Sequence, residues 1–274
     1  MTQEERRIYL IEALLAERAD GEHIAVPEGD DDQRALLRAL TNVRPPAPVA
    51  PEVLSVQDAY LAERLRERGG AADAAALPPV NAADPTLSRV ALWRGDITRL
   101  AADAIVNAAN SQMLGCFVPG HHCIDNAIHT YAGMQLRLDC AGLMAAQGRA
   151  EPTGQVKVTS AHNLPSRYVF HTVGPIAQSG RPTPHDEDLL ASCYRACLAE
   201  ATRRRLRTLA FCCISTGVFG FPQEEAARIA VRAVLDHLAN TDHRLKVIFD
   251  VFLDADQRIY QELLDGARAA RRRA

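Results

Sequence analysis

Apolar residues recur at helical spacing near the start of the chain. Ile8, Leu10, Ile11, Leu14 and Leu15 form a stripe with charged positions between them, which predicts an amphipathic helix. Asp30, Asp31 and Asp32 stand ahead of Leu36, Leu37 and Leu40. Acids before an apolar stripe predict a second helix. Pro45, Pro46, Pro48 and Pro51 interrupt it, and a third helix fits Leu54 to Leu65. Gly69-Gly70 and the Ala-rich, Pro-containing stretch to Pro85 then read as a linker.

From about Val90 the pattern changes. Strands are predicted at Val90 to Trp93, Ala104 to Val106, Val156 to Thr159, Tyr168 to Thr172, Leu209 to Ile214 and Val247 to Leu253. Helices are predicted at Ile124 to Tyr131, Leu189 to Ala201, Pro222 to Leu238 and Gln257 to Ala269. Strands alternating with helices imply an α/β sheet covered on both faces, and ligands collect beyond the carboxyl ends of such strands. The chain thus divides into a helical N-terminal extension with its linker, 1–85, and an α/β domain, 86–274.

Composition narrows the function. With 47% apolar residues among 274, a sizeable core is expected. A formal net charge of −3 argues against a whole-protein grip on nucleic acid. Arg203-Arg204-Arg205 and the tail Arg271-Arg272-Arg273 read as solvated helix ends. The first residues mix acids with bases and do not read as a signal peptide, and no apolar run is long enough to cross a bilayer. A soluble, cytoplasmic protein is expected. The seven cysteines are not spaced like a secreted disulfide scaffold, so clustered ones read as metal ligands or buried thiols. Cys212 and Cys213 read as core; Cys193 and Cys197, one helical turn apart, as buried thiols or a metal pair; Cys140 has no obvious partner.

Three segments at strand exits carry chemistry. In the first, Gly95-Asp96-Ile97-Thr98 places a carboxylate after a strand, as a turn cap or as an acceptor for a ligand amino group. Asn107 and Asn110 follow the next strand, as Asx turns or as amides for sugar hydroxyls. In the second, Cys116, His121, His122 and Cys123 surround a Pro-Gly turn. Nitrogen and sulfur donors this close suit zinc, with three protein ligands leaving a fourth position open, or with His122 or a distant Cys closing the site. In the third, Ser215-Thr216-Gly217-Val218-Phe219-Gly220 leads into a helix at Pro222. It is a plain strand-to-helix turn or a cradle for a diphosphate, and with no Lys after the glycines it is not a Walker A loop.

Together with His171-Thr172-Val173-Gly174-Pro175, these segments resemble the macrodomain family, over residues 88 to 270. The Cys116-x4-His121-x-Cys123 cluster leading into Ile124-Asp125-Asn126 is similar to the zinc-containing microbial branch of protein-ADP-ribose hydrolases, as is the helical start with Asn42-Val43-Arg44-Pro45-Pro46. The resemblance implies a three-layer α/β/α macrodomain with a mixed central sheet behind a helical N-terminal extension. It implies that Asp96 accepts from the adenine amino group beside the Ile97 N–H, that Asn110 contacts the distal ribose while Asn107 supports the loop, and that Ser215, Thr216, Gly217, Val218, Phe219 and Gly220 cradle the diphosphate, Phe219 near the distal ribose. Cys116, His121 and Cys123 would hold one zinc ion, and Cys123, Ile124 and Asp125 would line the ligand.

The implied activity is zinc-dependent removal of mono-ADP-ribose from protein side chains, with Asp125 and Asn110 as the catalytic candidates. Asp125 reads as a general base, a ribose orienter or a helix cap, and His129, one turn on, as packing or support for the site. The alternatives are a non-catalytic ADP-ribose-binding module, a hydrolase of a small metabolite such as O-acetyl-ADP-ribose, and a thiol redox sensor.

Overall fold

The computed structural model describes residues 1–18 and 24–271, so Arg272 and Arg273 of the basic tail lie outside the described residues. Three helices come first: α1 (Gln3–Ala16), α2 (Asp30–Val43) and α3 (Pro51–Glu67). Thr2 and Glu5 close a capping box at the start of α1, which satisfies two N–H groups that the helix itself leaves free. The three aspartates fill the first turn of α2, where the helix dipole favours negative charge. Pro51 opens α3 at a position whose N–H is not needed. The apolar stripes meet in a cluster of their own, with Leu10, Ile11, Leu14, Leu37, Leu40, Tyr60 and Leu61 buried around it.

The stretch read as a linker is held against the domain. Ala72–Asp73 (β1) pairs with Leu100–Ala101 (β3). The Lys246 Nζ donates to the Ala75 and Leu77 carbonyls at 2.8 and 2.5 Å.

The main sheet contains β2 (Val90–Arg94), β4 (Ala104–Ala109), β5 (Val156–Ser160), β6 (Tyr168–Val173), β7 (Thr208–Phe211) and β8 (Lys246–Val251). Their spatial order is β2-β8-β7-β4-β6-β5, parallel throughout except for β5, which runs antiparallel to β6. The helices are α4 (Ile124–Ala132), α5 (Met134–Gln147), α6 (Pro184–Arg203), α7 (Gln223–Ala239) and α8 (Asp254–Arg271). The result is the three-layer α/β/α arrangement with a mixed sheet. On β6, His171 faces the α5 thiol Cys140, with Sγ 3.8 Å from Nε2, and the α6 thiol Cys193 donates to the Val173 carbonyl. Thr172, the next residue along β6, meets the same α6 thiol through its side chain, so alternation along the strand assigns α4–α5 to one face and α6–α8 to the other. No helix of the described residues is long and apolar enough to cross a membrane.

Several boundaries differ from the sequence reading. β4 extends to Ala109, so Asn107 lies within the strand and only Asn110 follows it. β7 ends at Phe211, and Cys212 and Cys213 belong to the exit turn. Helix α5 carries apolar residues on too many sides for a clear stripe, and the pattern missed it. Cys193 and Cys197 are both fully buried in the core and, among the described residues, belong to no group of three or more donors that could hold a metal ion.

Under α4 and α5 lies a buried polar layer. His171 is fully buried and His129 nearly so. Burial holds the His171 imidazole down at about 3 and that of His129 well below its ordinary value. The unfolded chain therefore takes up protons near pH 6.5 that the folded chain refuses. Stability is complete above that value and is lost as pH falls through the window from about 6.5 to about 3. For His171 alone the loss reaches about 2 kcal/mol at about pH 5. The raised carboxyls of Asp125 and Asp250 act in the opposite direction in any variant that keeps them, so the test is the difference. In urea unfolding at about pH 7 and about pH 5, His171→Gln is expected to lose about 2 kcal/mol less over that interval than the wild type; equal pH slopes in the two proteins would contradict the assignment.

Candidate functional site

Five parallel strands end on one edge of the sheet, and the segments singled out in the sequence hang from three of those ends. Asp96 follows β2, the 215–220 loop follows β7, and Asn110 follows β4. The sheet order sets β2 three strand spacings from β4, about 14 Å, with the β7 exit between them. The three exits thus lie in a row along one edge of the sheet, with a different chemistry at each station.

At the β2 end, the Asp96 carboxylate accepts from the Thr98 N–H at 3.0 Å and the Thr98 hydroxyl at 2.6 Å, capping a 3-10 turn, Ile97–Arg99. Its other oxygen accepts from Arg68 Nη1 at 2.7 Å. The cap reading is therefore realised, while a third of the side chain stays exposed. Arg68, just past α3, also lies over the Tyr131 ring, 3.5 Å from its centroid. On the neighbouring strand, Asp250 is buried with one carboxylate oxygen lacking a partner among the described residues, and burial pushes its carboxyl well up.

In the middle, the loop turns tightly. Phe221 N–H donates to the Ser215 carbonyl at 3.0 Å and Gly220 N–H to the Gly217 carbonyl at 2.9 Å. Ser215 adopts a left-handed φ of +67°, uncommon for a residue with a side chain. Its buried hydroxyl has no partner among the described residues. Gly174 backs it so closely that a Cβ there would sit 2.0 Å from the Ser215 Oγ. Gly217, Val218 and Gly220 are exposed. Phe219 packs on the cluster of Ala109, Met113 and Val173, which ties this loop to the β4 exit.

At the β4 end, Cys116, His121 and Cys123 bring their donor atoms within 4.8 Å of one another, an arrangement that could hold a metal ion. Cys116 Sγ lies 3.5 Å from His121 Nδ1. His122 is exposed and outside this group. Cys123 caps α4, accepting from the Asn126 N–H at 3.4 Å. Burial pushes its thiol up to about 11. Gly115 precedes the cluster with a φ of +81°, and a Cβ there would meet the His129 ring at 2.8 Å, so only glycine fits both the turn and the space.

Asp125, in the first turn of α4, is buried between two amides. Asn107 Nδ2 donates to one oxygen at 2.8 Å and Asn110 Nδ2 lies 3.4 Å from the other. Burial raises the carboxyl to about 6, against the lowering pull of Asn107 and Arg137. Asn110 also forms an Asx turn, its Oδ1 accepting from the Gln112 N–H, and donates to the Gly115 carbonyl at 3.1 Å. The asparagine pair thus holds the carboxylate and the start of the Cys116 loop.

A second group of donors, His129, Cys140 and His171, is fully buried behind Asp125. The carboxylate can only accept, so Asn107 must present its amide nitrogen, which also reaches His171 Nδ1 at 3.1 Å. His171 therefore carries its proton on Nε2, 2.9 Å from the Thr159 hydroxyl. The His171 ring is thus used at both nitrogens, whereas both ring nitrogens of His129 are buried without a hydrogen-bond partner among the described residues.

The sequence reading gave no role to Arg38, Asn42 or Arg68, which bind the site's loops from the helical unit. Their hydrogen-bond partners there lie 28 to 88 positions away, and no local pattern announces them.

Residues 106–230 match the family model described as "Macro domain". The chain is 51% identical over 266 residues to the protein-ADP-ribose hydrolase of Treponema medium, covering 96% of this chain and 100% of that protein. It is 48% identical to the protein-ADP-ribose hydrolase of Staphylococcus aureus strain MRSA252, over 93% of each. Among solved structures, the Trypanosoma brucei macrodomain in complex with ADP-ribose is 32% identical with a TM-score of 0.63, covering 82% of this chain and 94% of that one. The Oceanobacillus iheyensis macrodomain with ADP is 39% identical with a TM-score of 0.61, over 66% and 92%. Relatives this similar along nearly the whole chain have one consequence: it belongs to the macrodomain family, among the protein-ADP-ribose hydrolases.

Proposed function

We propose that this chain binds ADP-ribose along the strand-end cleft and hydrolyses its link to a modified protein side chain, with one zinc ion held by Cys116, His121 and Cys123. The observation that carries the reading is the meeting of these three donors with Asp125 at one end of a cleft whose other stations suit a diphosphate and an adenine. The relatives named for this hydrolysis, and the relative solved with ADP-ribose, support it.

The donors fit zinc. Tetrahedral ligation with a Zn–S bond near 2.3 Å and a Zn–N bond near 2.05 Å requires an S···N separation of about 3.6 Å, against 3.5 Å between Cys116 and His121. When bound, the ion supplies Lewis acidity to an oxygen at the scissile link or to a water, damped by two thiolate ligands. The N-terminus of α4 favours the thiolate of Cys123.

The chain's own residues do the positioning. Asp96 accepts from the adenine amino group, with the Ile97 N–H beside it. The backbone of Ser215, Thr216, Gly217, Val218 and Phe219 presents N–H groups to the diphosphate, with Gly220, whose own N–H is bonded to Gly217, closing the cradle and the unpartnered Ser215 hydroxyl at its base. Phe219 and Asn110 flank the distal ribose, and Cys123, Ile124 and Asp125 line its far side. Asp125, fixed by Asn107 and Asn110, orients the ribose or takes the proton from the attacking water. The bond broken joins C1 of that ribose to the protein.

About one zinc per chain is expected by metal analysis. Cys123→Ala is expected to lose the metal and release of ADP-ribose from modified protein, while keeping the fold by circular dichroism. Undiminished release in that variant would exclude the metal from the reaction, and tight binding without release by the zinc-loaded wild type would leave only a binding module. Asp96→Ala is expected to weaken ADP-ribose binding by about 10- to 100-fold, the value of a charge-assisted hydrogen bond, in calorimetric titration. An unchanged affinity would remove Asp96 from the adenine subsite.

A further inference from the structure

The three N-terminal helices take no part in the chemistry above, yet α2 ends its polar side chains on the loop that carries the donors. Arg38 donates through Nε and Nη2 to the Asn126 Oδ1, at 3.2 and 2.8 Å, and through Nη2 to the His121 carbonyl at 3.1 Å. Asn42, only 1% exposed, accepts from the Gly120 N–H at 3.1 Å and donates to the Thr130 hydroxyl at 3.1 Å. Asn126 passes the restraint on. Its Nδ2 donates to the Val118 carbonyl at 3.2 Å, and its N–H reaches the Cys123 sulfur.

The loop depends on these bonds. Phe117 and Val118 are exposed at its tip, where the Arg137 guanidinium lies over the Phe117 ring, 4.4 Å from its centroid, so apolar packing alone fixes the tip little. Three backbone groups around the Pro-Gly turn, the carbonyls of Val118 and His121 and the N–H of Gly120, find partners in Asn126, Arg38 and Asn42 respectively. The helical unit is itself seated firmly. Met134 of α5 joins its apolar cluster, the Met134 N–H donates to Gln57 at 2.8 Å, and Arg137 donates to the Thr41 carbonyl at 3.1 Å. A rigid body thus stands behind each bond to the loop.

We propose that Arg38 and Asn42 are positioning residues of the hydrolase, and that the N-terminal helical unit completes the active site by holding the 115–123 loop in its ligand-bearing shape. This rests on the reading of that loop as the zinc site. Groups behind the ligands of a metal fix their orientation, and removing one typically weakens metal binding or activity 10- to 100-fold. The full-length protein and its Arg38→Ala and Asn42→Ala variants are to be compared in three measurements: zinc affinity by chelator competition, amide hydrogen exchange over 116–123, and affinity for free ADP-ribose. Zinc affinity is expected to fall about 10- to 100-fold in each variant. The Gly120 amide should be protected in the metal-free wild type and lose that protection in Asn42→Ala. ADP-ribose affinity should stay within about threefold, because the adenine and diphosphate stations hang from other strands, a split that general destabilisation would not produce. A zinc-binding wild type whose affinity neither variant changes would overturn this proposal and leave the hydrolase reading standing. A wild type that binds no zinc would overturn the metal reading itself. Unprotected Gly120 in the wild type, a result that needs no variant to fold, would also end the proposal.

Discussion

The register of β4 against β6 is the constraint on which the rest of the site depends. Asn107 lies opposite His171 in that parallel pair, and both side chains point to the face covered by α4 and α5. From there Asn107 divides its amide between His171 and Asp125. A slip of one residue would send every side chain of β4 to the opposite face, leaving Asp125 buried without its main donor. A buried carboxylate is costly unless hydrogen-bonded, so the strand pairing and the start of α4 enforce one another. The Cys116 loop leaves β4 three residues after Asn107 by way of Asn110, which keeps the loop short and fixes where Cys116 can lie.

Much of this was legible in the sequence, for physical reasons that differ by element. The strand exits could be read because glycine, asparagine and aspartate cluster where chain direction changes, and the buried parallel strands are continuous apolar runs. The Cys116, His121 and Cys123 donors could be read because they are local: a single turn brings them together. Asn107 was placed one step too late, after a strand instead of within it, because polarity at a buried strand position is rare and imitates a strand end. The thiols Cys212 and Cys213 had the opposite effect, lengthening the apparent strand beyond Phe211. For Asp96 the two readings turned out not to be exclusive. The carboxylate caps its own turn with one oxygen and leaves the other at the cleft, shared with Arg68.

What the sequence hid is the polar contact between distant segments. Arg38 and Asn42 look like ordinary helix residues, since α2 needs them for nothing local. Each meets its partner across 78 to 88 positions, and only the seating of one helix on another reveals it. His171 and Cys140 were hidden in the same way. A thiol with no visible partner proved to face an imidazole from another element, whose tautomer is set by Asn107.

Helix α4 joins these parts. It is nine residues long, about 14 Å, and its first turn carries Cys123, Asp125 and Asn126. Arg38 and Asn42 hold it at Asn126 and Thr130, and Arg68 lies against Tyr131 near its other end. Arg68 is bonded in turn to Asp96 at the far station of the cleft. The helical unit therefore touches both ends of the site through one strut, and any tilt of that unit would move the donor loop and the Asp96 carboxylate together. Under the proposed reading, in which one extended ligand spans the three strand exits, fixing both ends from a single body would spare the binding step the cost of ordering them separately.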